Sequence, residues 1–138
     1  MLSGFNHVAI LTDDLDSLEG FYRDVFGVTD VVDMQFEDVH HRLLRVGEQS
    51  VLHAFEMDAP APSPTFSRGR VDHLALNVAE HDEFERLRGR LVEAGASDGE
   101  VTDFGALLSV SFNDPDGLAC ELCWMRPGAS LSDAVDPW

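Results

Sequence analysis

"FNHVAIL" occupies Phe5–Leu11 and "VDHLALN" occupies Val71–Asn77, sixty-six residues further on. Each reads as a short apolar strand with one histidine, His7 or His73, at its third place. Laid over one another, the two stretches align Val8 with Leu74, Ala9 with Ala75 and Ile10 with Leu76. The match runs on, with Leu18 on Phe84, Phe21 on Leu87 and Val25 on Leu91. A period this long, used twice, predicts a duplicated module rather than a solenoid.

Both modules read alike. "FNHVAILT" has the β-branched and apolar content of a strand. "DDLDSLEGFYRDVFG" reads as a helix, with Asp13 or Asp14 as cap, an apolar stripe at Leu15, Leu18, Phe21, Tyr22 and Val25, and Gly27 as its end. Three strands follow in "VTDVVDMQF", "VHHRLLRVG" and "SVLHAFEM". The second module runs "RVDHLALNV", a helix over about Glu80–Ala94 stopped by Gly95, then strands in "SDGEVTDF", "ALLSVSFND" and "GLACELCWM". "NDPDG" at Asn113–Gly117 is a tight-turn signal between the last two. The expected fold is α+β: two tandem βαβββ modules whose curled mixed sheets enclose a shared cavity. Residues 1–57 form the first module, 58–69 a Pro-rich linker, 70–126 the second module and 127–138 an irregular tail in which Trp138 is free to dock.

Composition removes several functions. Asp and Glu number 26 against nine basic residues, all arginine, for a net charge of −17. Phosphate backbones need a basic footprint, so nucleic acid is excluded as a partner, as are anionic membranes. The charge suits solubility and a salty medium; a lysine-poor genome accounts for it equally. No apolar run reaches the roughly 18–20 residues of a bilayer span. "MLSGFNHVAIL" lacks a basic n-region and cleavage site, so the expected compartment is the cytoplasm. Cys120 and Cys123 form a C-x-x-C, but a strand would point them to opposite faces, which disfavours joint redox or zinc chemistry.

Alternation places Phe5, His7, Ala9 and Leu11 on one face, and Val71, His73, Ala75 and Asn77 on the equivalent face. The last strand of each module repeats the habit. His53 sits mid-strand in "SVLHAFEM" and Glu121 mid-strand in "GLACELCWM", sixty-eight residues apart. A carboxylate in an apolar strand is costly unless neutralised or coordinated. Imidazoles with a carboxylate suit one divalent Fe, Zn, Ni, Mn or Co ion. The metal candidates are therefore His7, His53, His73 and Glu121, with Glu121 and His53 also candidate catalytic acid/base groups. A lone strand histidine is more often a hydrogen-bonded core or surface residue. Glu121 alone could equally pair with Arg45 or Arg126. It is the four matching places that favour a metal.

Other residues are weaker candidates. His40 and His41 are adjacent, so a strand aims only one of them inward. Either could assist as an acid/base group beside the metal, although exposure is the commoner fate. Arg42 and Arg45 could bind an anionic substrate. Tyr22, the single tyrosine, reads as core, Phe55 and Cys123 as pocket lining, and His81 as exposed.

The stretches "NHVAILTDDLDSLEGFYRDVFG", "VDHLALNV" with its helix, and "NDPDGLACEL" resemble the vicinal oxygen chelate superfamily. It includes glyoxalase I, methylmalonyl-CoA epimerase, fosfomycin-resistance and bleomycin-resistance proteins and extradiol dioxygenases. The resemblance covers nearly all of residues 1–126. It implies metal ligands at His7, His73 and Glu121. At the fourth-strand place, often Glu or Gln in the isomerases, this chain carries His53. Three functions are implied. The first is a glyoxalase-like lyase or isomerase holding a small substrate by neighbouring oxygens and stabilising an enediolate, with Glu121 moving the proton. The second is an Fe(II) extradiol-type dioxygenase, with His53, His40 or His41 as acid/base. The third is a non-catalytic, ligand-sequestering protein like the bleomycin-resistance members. A small-molecule substrate and a homodimer are expected.

Overall fold

The computed structural model describes residues 6–58, 71–129 and 133. Phe5, residues 59–69 of the expected linker, and Trp138 with most of the expected tail lie outside them. The chain divides into two compact units between Ala61 and Pro62. Each unit holds one βαβββ module and one open four-stranded mixed sheet.

The first unit comprises β1 (His7–Thr12), α1 (Leu15–Phe26), β2 (Val31–Phe36), β3 (Val39–Gly47) and β4 (Ser50–Glu56). Its strand order is β1-β4-β3-β2, with β1 parallel to β4 and the other pairs antiparallel. The helix begins where Asp14 turns extended and its carboxylate accepts from the Ser17 amide at 2.9 Å. Glu56, at the end of β4, accepts from the Leu15 amide at 3.2 Å and so ties the helix start to the sheet. Gly27 closes the helix at φ 75°, its amide donating to the Arg23 carbonyl. Of the predicted stripe, Leu15, Leu18, Tyr22 and Val25 are buried and Phe21 is half-buried, with Leu44, Leu52 and Ala54 of the sheet beneath the helix. Each fully buried leucine contributes about 1.5–3 kcal/mol of transfer free energy.

The second unit comprises β5 (Leu74–Val78), α2 (His81–Glu93), β6 (Thr102–Asp103), β7 (Leu107–Asn113) and β8 (Ala119–Met125), in sheet order β5-β8-β7-β6. Phe84, Leu87 and Leu91 of α2 are buried, as are Val110, Phe112, Cys120 and Leu122 of the sheet. The "NDPDG" turn forms as expected. The Asp114 side chain accepts from the Asp116 and Leu118 amides at 3.0 and 2.9 Å, and Gly117 takes φ 80°.

Two sequence expectations need correction. His73 was expected inside a strand but lies one residue before β5. The parallel ladder starts at Leu74 opposite Cys120, one residue into β8. The strand expected in "SDGEVTDF" shrinks to Thr102–Asp103. There the Ser97 hydroxyl accepts from the Gly99 amide and Asp98 from the Glu100 amide. These local bonds occupy backbone donors that a ladder would have used.

Candidate functional site

The strand register of the first unit decides which side chains meet. His53 lies opposite Ala9 on one side and Leu43 on the other, and Phe55 lies opposite Leu11 and His41. Residues paired across a ladder share a face. His7, His41, His53 and Phe55 therefore stand together, on the face opposite the one that α1 covers. The His7 and His53 rings are 5.6 Å apart between centroids, in an edge arrangement. His41 Nδ1 and His53 Nε2 are 2.7 Å apart, so one donates to the other. His41 stacks parallel on Phe55 at 5.2 Å, and Phe55 touches the His53 ring at 4.1 Å. Burial, then the neighbouring His41 and His7, push the His53 pKa below its ordinary value.

His7 is oriented by its own neighbour. Its Nδ1 is 2.8 Å from Asn6 Oδ1. An amide oxygen only accepts, so Nδ1 carries the proton and Nε2 keeps its lone pair. His73 repeats this in the second unit, with Nδ1 3.0 Å from Asp72 Oδ2. A ring nitrogen that donates to an oxygen leaves the other nitrogen fixed as a potential ligand. Asn6 and Asp72 were not among the sequence candidates. The signal for them was present, because the sixty-six-residue period lays Asn6 on Asp72.

Glu121 faces the same side of its sheet as Ala75 and Ser111, its ladder partners. Its Oε1 is 4.0 Å from His73 Nε2. The Cys123 thiol lies 3.7 Å from Glu121 Oε2 and from the Ser109 hydroxyl. Burial pushes the Cys123 pKa up, which keeps it a neutral thiol. Cys120 faces the opposite side and is buried; both cysteines are free. Two hollows of the second unit share Glu121. One, of about 380 Å³, is polar and includes His73, Asp72, Asp98 and Ser111. The other, of about 460 Å³, is apolar and lined by Phe104, Leu107, Cys123 and Met125, with Asn77 as a second polar group.

Each unit thus presents two of the four candidate donors: His7 with His53 in the first, His73 with Glu121 in the second. Within either unit, the described residues hold no cluster of three or more such donors poised for a metal. The weaker candidates separate by strand face. His41 joins His53. His40 points to the other face, bonded to Asp33 at 2.7 Å and Glu56 at 3.2 Å, and those bonds, Asp33 first, raise its pKa. Arg42 is held by Asp16, Glu19 and Asp33 at 2.8–3.0 Å, and Arg45 by Asp30 at 2.6 Å. Their role as anion binders is therefore already taken by the protein's own carboxylates. Arg126 bonds Asp103, and neither Arg45 nor Arg126 is paired with Glu121. Tyr22 is fully buried, as expected for core. His81 is about half exposed, with its ring edge against Trp124.

Taken one by one, the donors have the chemistry of divalent-ion ligands: His7 and His73 each keep an Nε2 lone pair, and Glu121 Oε1 has no strong hydrogen bond among the described residues. No helix among the described residues is long and apolar enough to cross a membrane.

A family model described as the Glyoxalase/Bleomycin resistance protein/Dioxygenase superfamily matches residues 4–122. Among solved structures, the fold is similar to a glyoxylase/bleomycin resistance protein/dioxygenase domain from Frankia sp. EAN1pec. That likeness has a TM-score of 0.74 and 25% identity, over 93% of this chain and 96% of that one. Lactoylglutathione lyase from Agrobacterium tumefaciens shares the fold at TM-score 0.67 and 22% identity, over 94% and 100%. A mutant fosfomycin resistance protein, FosX, from Listeria monocytogenes, complexed with Mn(II) and 1S,2S-dihydroxypropylphosphonic acid, shares it at TM-score 0.68 and 18% identity, over 88% and 92%. No curated protein sequence matches the chain significantly.

Proposed function

The chain belongs to the glyoxalase/bleomycin resistance protein/dioxygenase superfamily, and on that premise we propose that it is a metal-dependent lyase or isomerase acting on a small substrate held through two neighbouring oxygens. His7, His73 and Glu121 would hold one divalent ion, with His53 as a fourth donor. The observation that carries the reading is the repeated histidine device: in both modules an acceptor one residue upstream fixes Nδ1–H and frees Nε2. Both copies of the module keep this lock at matching places, each leaving an Nε2 lone pair available.

A divalent ion there supplies Lewis-acid polarisation of the substrate oxygens. The protein's own residues do the rest. Glu121, a partly buried carboxylate at the edge of an apolar hollow, would take a proton from substrate carbon and return it when displaced from the ion. Where His53 is not the fourth donor it would serve as a second proton acceptor on the first sheet, its imidazole biased to the neutral form by burial.

One observation favours a second reading, an Fe(II) extradiol-type dioxygenase. His41 sits 2.7 Å from His53 and gives that site an extra acid/base group. The lone tyrosine, Tyr22, is buried on the core side of α1 and contributes none.

The test is elemental analysis of protein purified without tag or chelator, beside His7→Ala and Glu121→Ala. About one equivalent of metal, lost in both variants, is the expected result. No metal after anaerobic reconstitution overturns both enzyme readings and leaves a ligand-sequestering protein. Oxygen uptake with catechols separates the two enzymes. A homodimer is part of the proposal, and sedimentation at several salt concentrations checks it.

A further inference from the structure

The apolar hollow beside Glu121 bears on the substrate. Phe104, Leu107, Cys123 and Met125 supply most of its surface, and its two polar side chains are Asn77 and Glu121. None of its lining residues is basic. The protein has no lysine, and its nine arginines are its only permanent side-chain cations. Six of them are held by carboxylates: Arg23, Arg42, Arg45, Arg86, Arg88 and Arg126. Arg126 follows Met125 in sequence, but it is anchored to Asp103 and to the Gly105 carbonyl.

We propose that this hollow takes the uncharged, apolar body of the substrate, a compact aryl or alkyl group bearing the neighbouring oxygens, and rejects bodies that carry a carboxylate, phosphonate or phosphate. The inference rests on the enzyme reading above for the role of Glu121, and it adds the substrate class. A volume of about 460 Å³ suits a small organic molecule. An anion buried there would lose hydration with no cationic side chain among the described lining residues to replace it. In the metal-free chain it would also face the Glu121 carboxylate, and like charges repel. The net charge of −17 adds a long-range field of the same sign. A neutral thiol and an amide complete the lining and suit an uncharged guest.

The test compares three probes on the metal-free full chain: 1-phenylethane-1,2-diol, 4-(1,2-dihydroxyethyl)benzoate and the methyl ester of that benzoate. Binding is followed by the methionine methyl resonances in a carbon–proton NMR spectrum, with Met125 as reporter. The diol and the ester should both move the Met125 signal. The benzoate should bind at least about tenfold more weakly, equivalent to about 1.4 kcal/mol. Leu107→Arg, and independently Met125→Arg read through backbone amides of β8, should remove or invert that preference. Benzoate binding as tight as the ester overturns the proposal. So does an ester as weak as the benzoate, because size rather than charge would then decide. So does a Met125 signal that no probe moves. Metal content is scored separately, so a chain that binds no metal yet favours the neutral probes refutes only the enzyme reading. A chain that binds metal yet favours the benzoate refutes only this inference.

Discussion

Asp114→Asn should make the protein more stable at neutral pH, and the gain should vanish in acid. Asp114 is 5% exposed, and its Oδ1 accepts from the Asp116 and Leu118 amides. Its Oδ2 is buried with no hydrogen-bond partner among the described residues. Burial raises the pKa from 3.8 to about 6, with the Leu118 bond opposing and the Asp116 charge adding. Between those values the folded state holds a proton that the unfolded chain has released. Stability from this group is therefore fully present below about pH 3.8 and is lost as pH rises through about 6. At about 1.4 kcal/mol per pH unit, the gap of 6 − 3.8 amounts to about 3 kcal/mol.

Asparagine keeps the Oδ1 acceptor and cannot ionise. The variant should equal the wild type near pH 4 and exceed it by up to about 3 kcal/mol at pH 8. Urea unfolding of both proteins across pH 4–8 measures this. About 0.5 M salt would screen the general acidic repulsion, which is common to both. Parallel stability curves, or a variant weaker at pH 8, would refute the reasoning. Because this turn decides where β8 begins, the same experiment also probes the support of Glu121.

Three further outcomes are expected. Asp72→Ala removes the acceptor on His73 Nδ1 and should weaken metal binding by about 10–100-fold in competition with a chelator, leaving the circular dichroism spectrum unchanged. His41→Phe keeps a ring against Phe55 but deletes the 2.7 Å bond and one neighbouring charge. The His53 pKa of the metal-free protein should then rise toward its ordinary value in an NMR titration, since His41 helps depress it. Leu18→Ala opens a cavity beneath α1, where Leu18 is fully buried, and should cost about 3–5 kcal/mol in denaturant unfolding.

Much of the architecture was legible because it is local. The stripe Leu15, Leu18, Tyr22 and Val25 requires only the helical period, and Gly27 ends the helix because its φ of 75° suits a residue without Cβ. Strand alternation alone sent Cys120 and Cys123 to opposite faces. It failed where side chains compete with the ladder, as at Ser97 and Asp98, and at the start of β5, where the ladder begins one residue after His73.

The sequence by itself determined the duplicated βαβββ plan, the faces on which His7, His53 and Glu121 stand, and the acidic balance of charge. These follow from period, parity and charge, which need no knowledge of neighbours. Only the tertiary structure decided that His41, and not His40, meets His53. That choice depends on the β3–β4 register, which sets residues fourteen and twelve positions apart side by side: His41 opposite Phe55, and His41 bonded to His53. It also decided that Arg42 is consumed by Asp16, Glu19 and Asp33, and that Glu121 borders an apolar hollow with no basic side chain among its described lining residues. Hydrogen bonds and charge pairing are short-ranged and directional, so their partners are chosen only once strands and helix have docked.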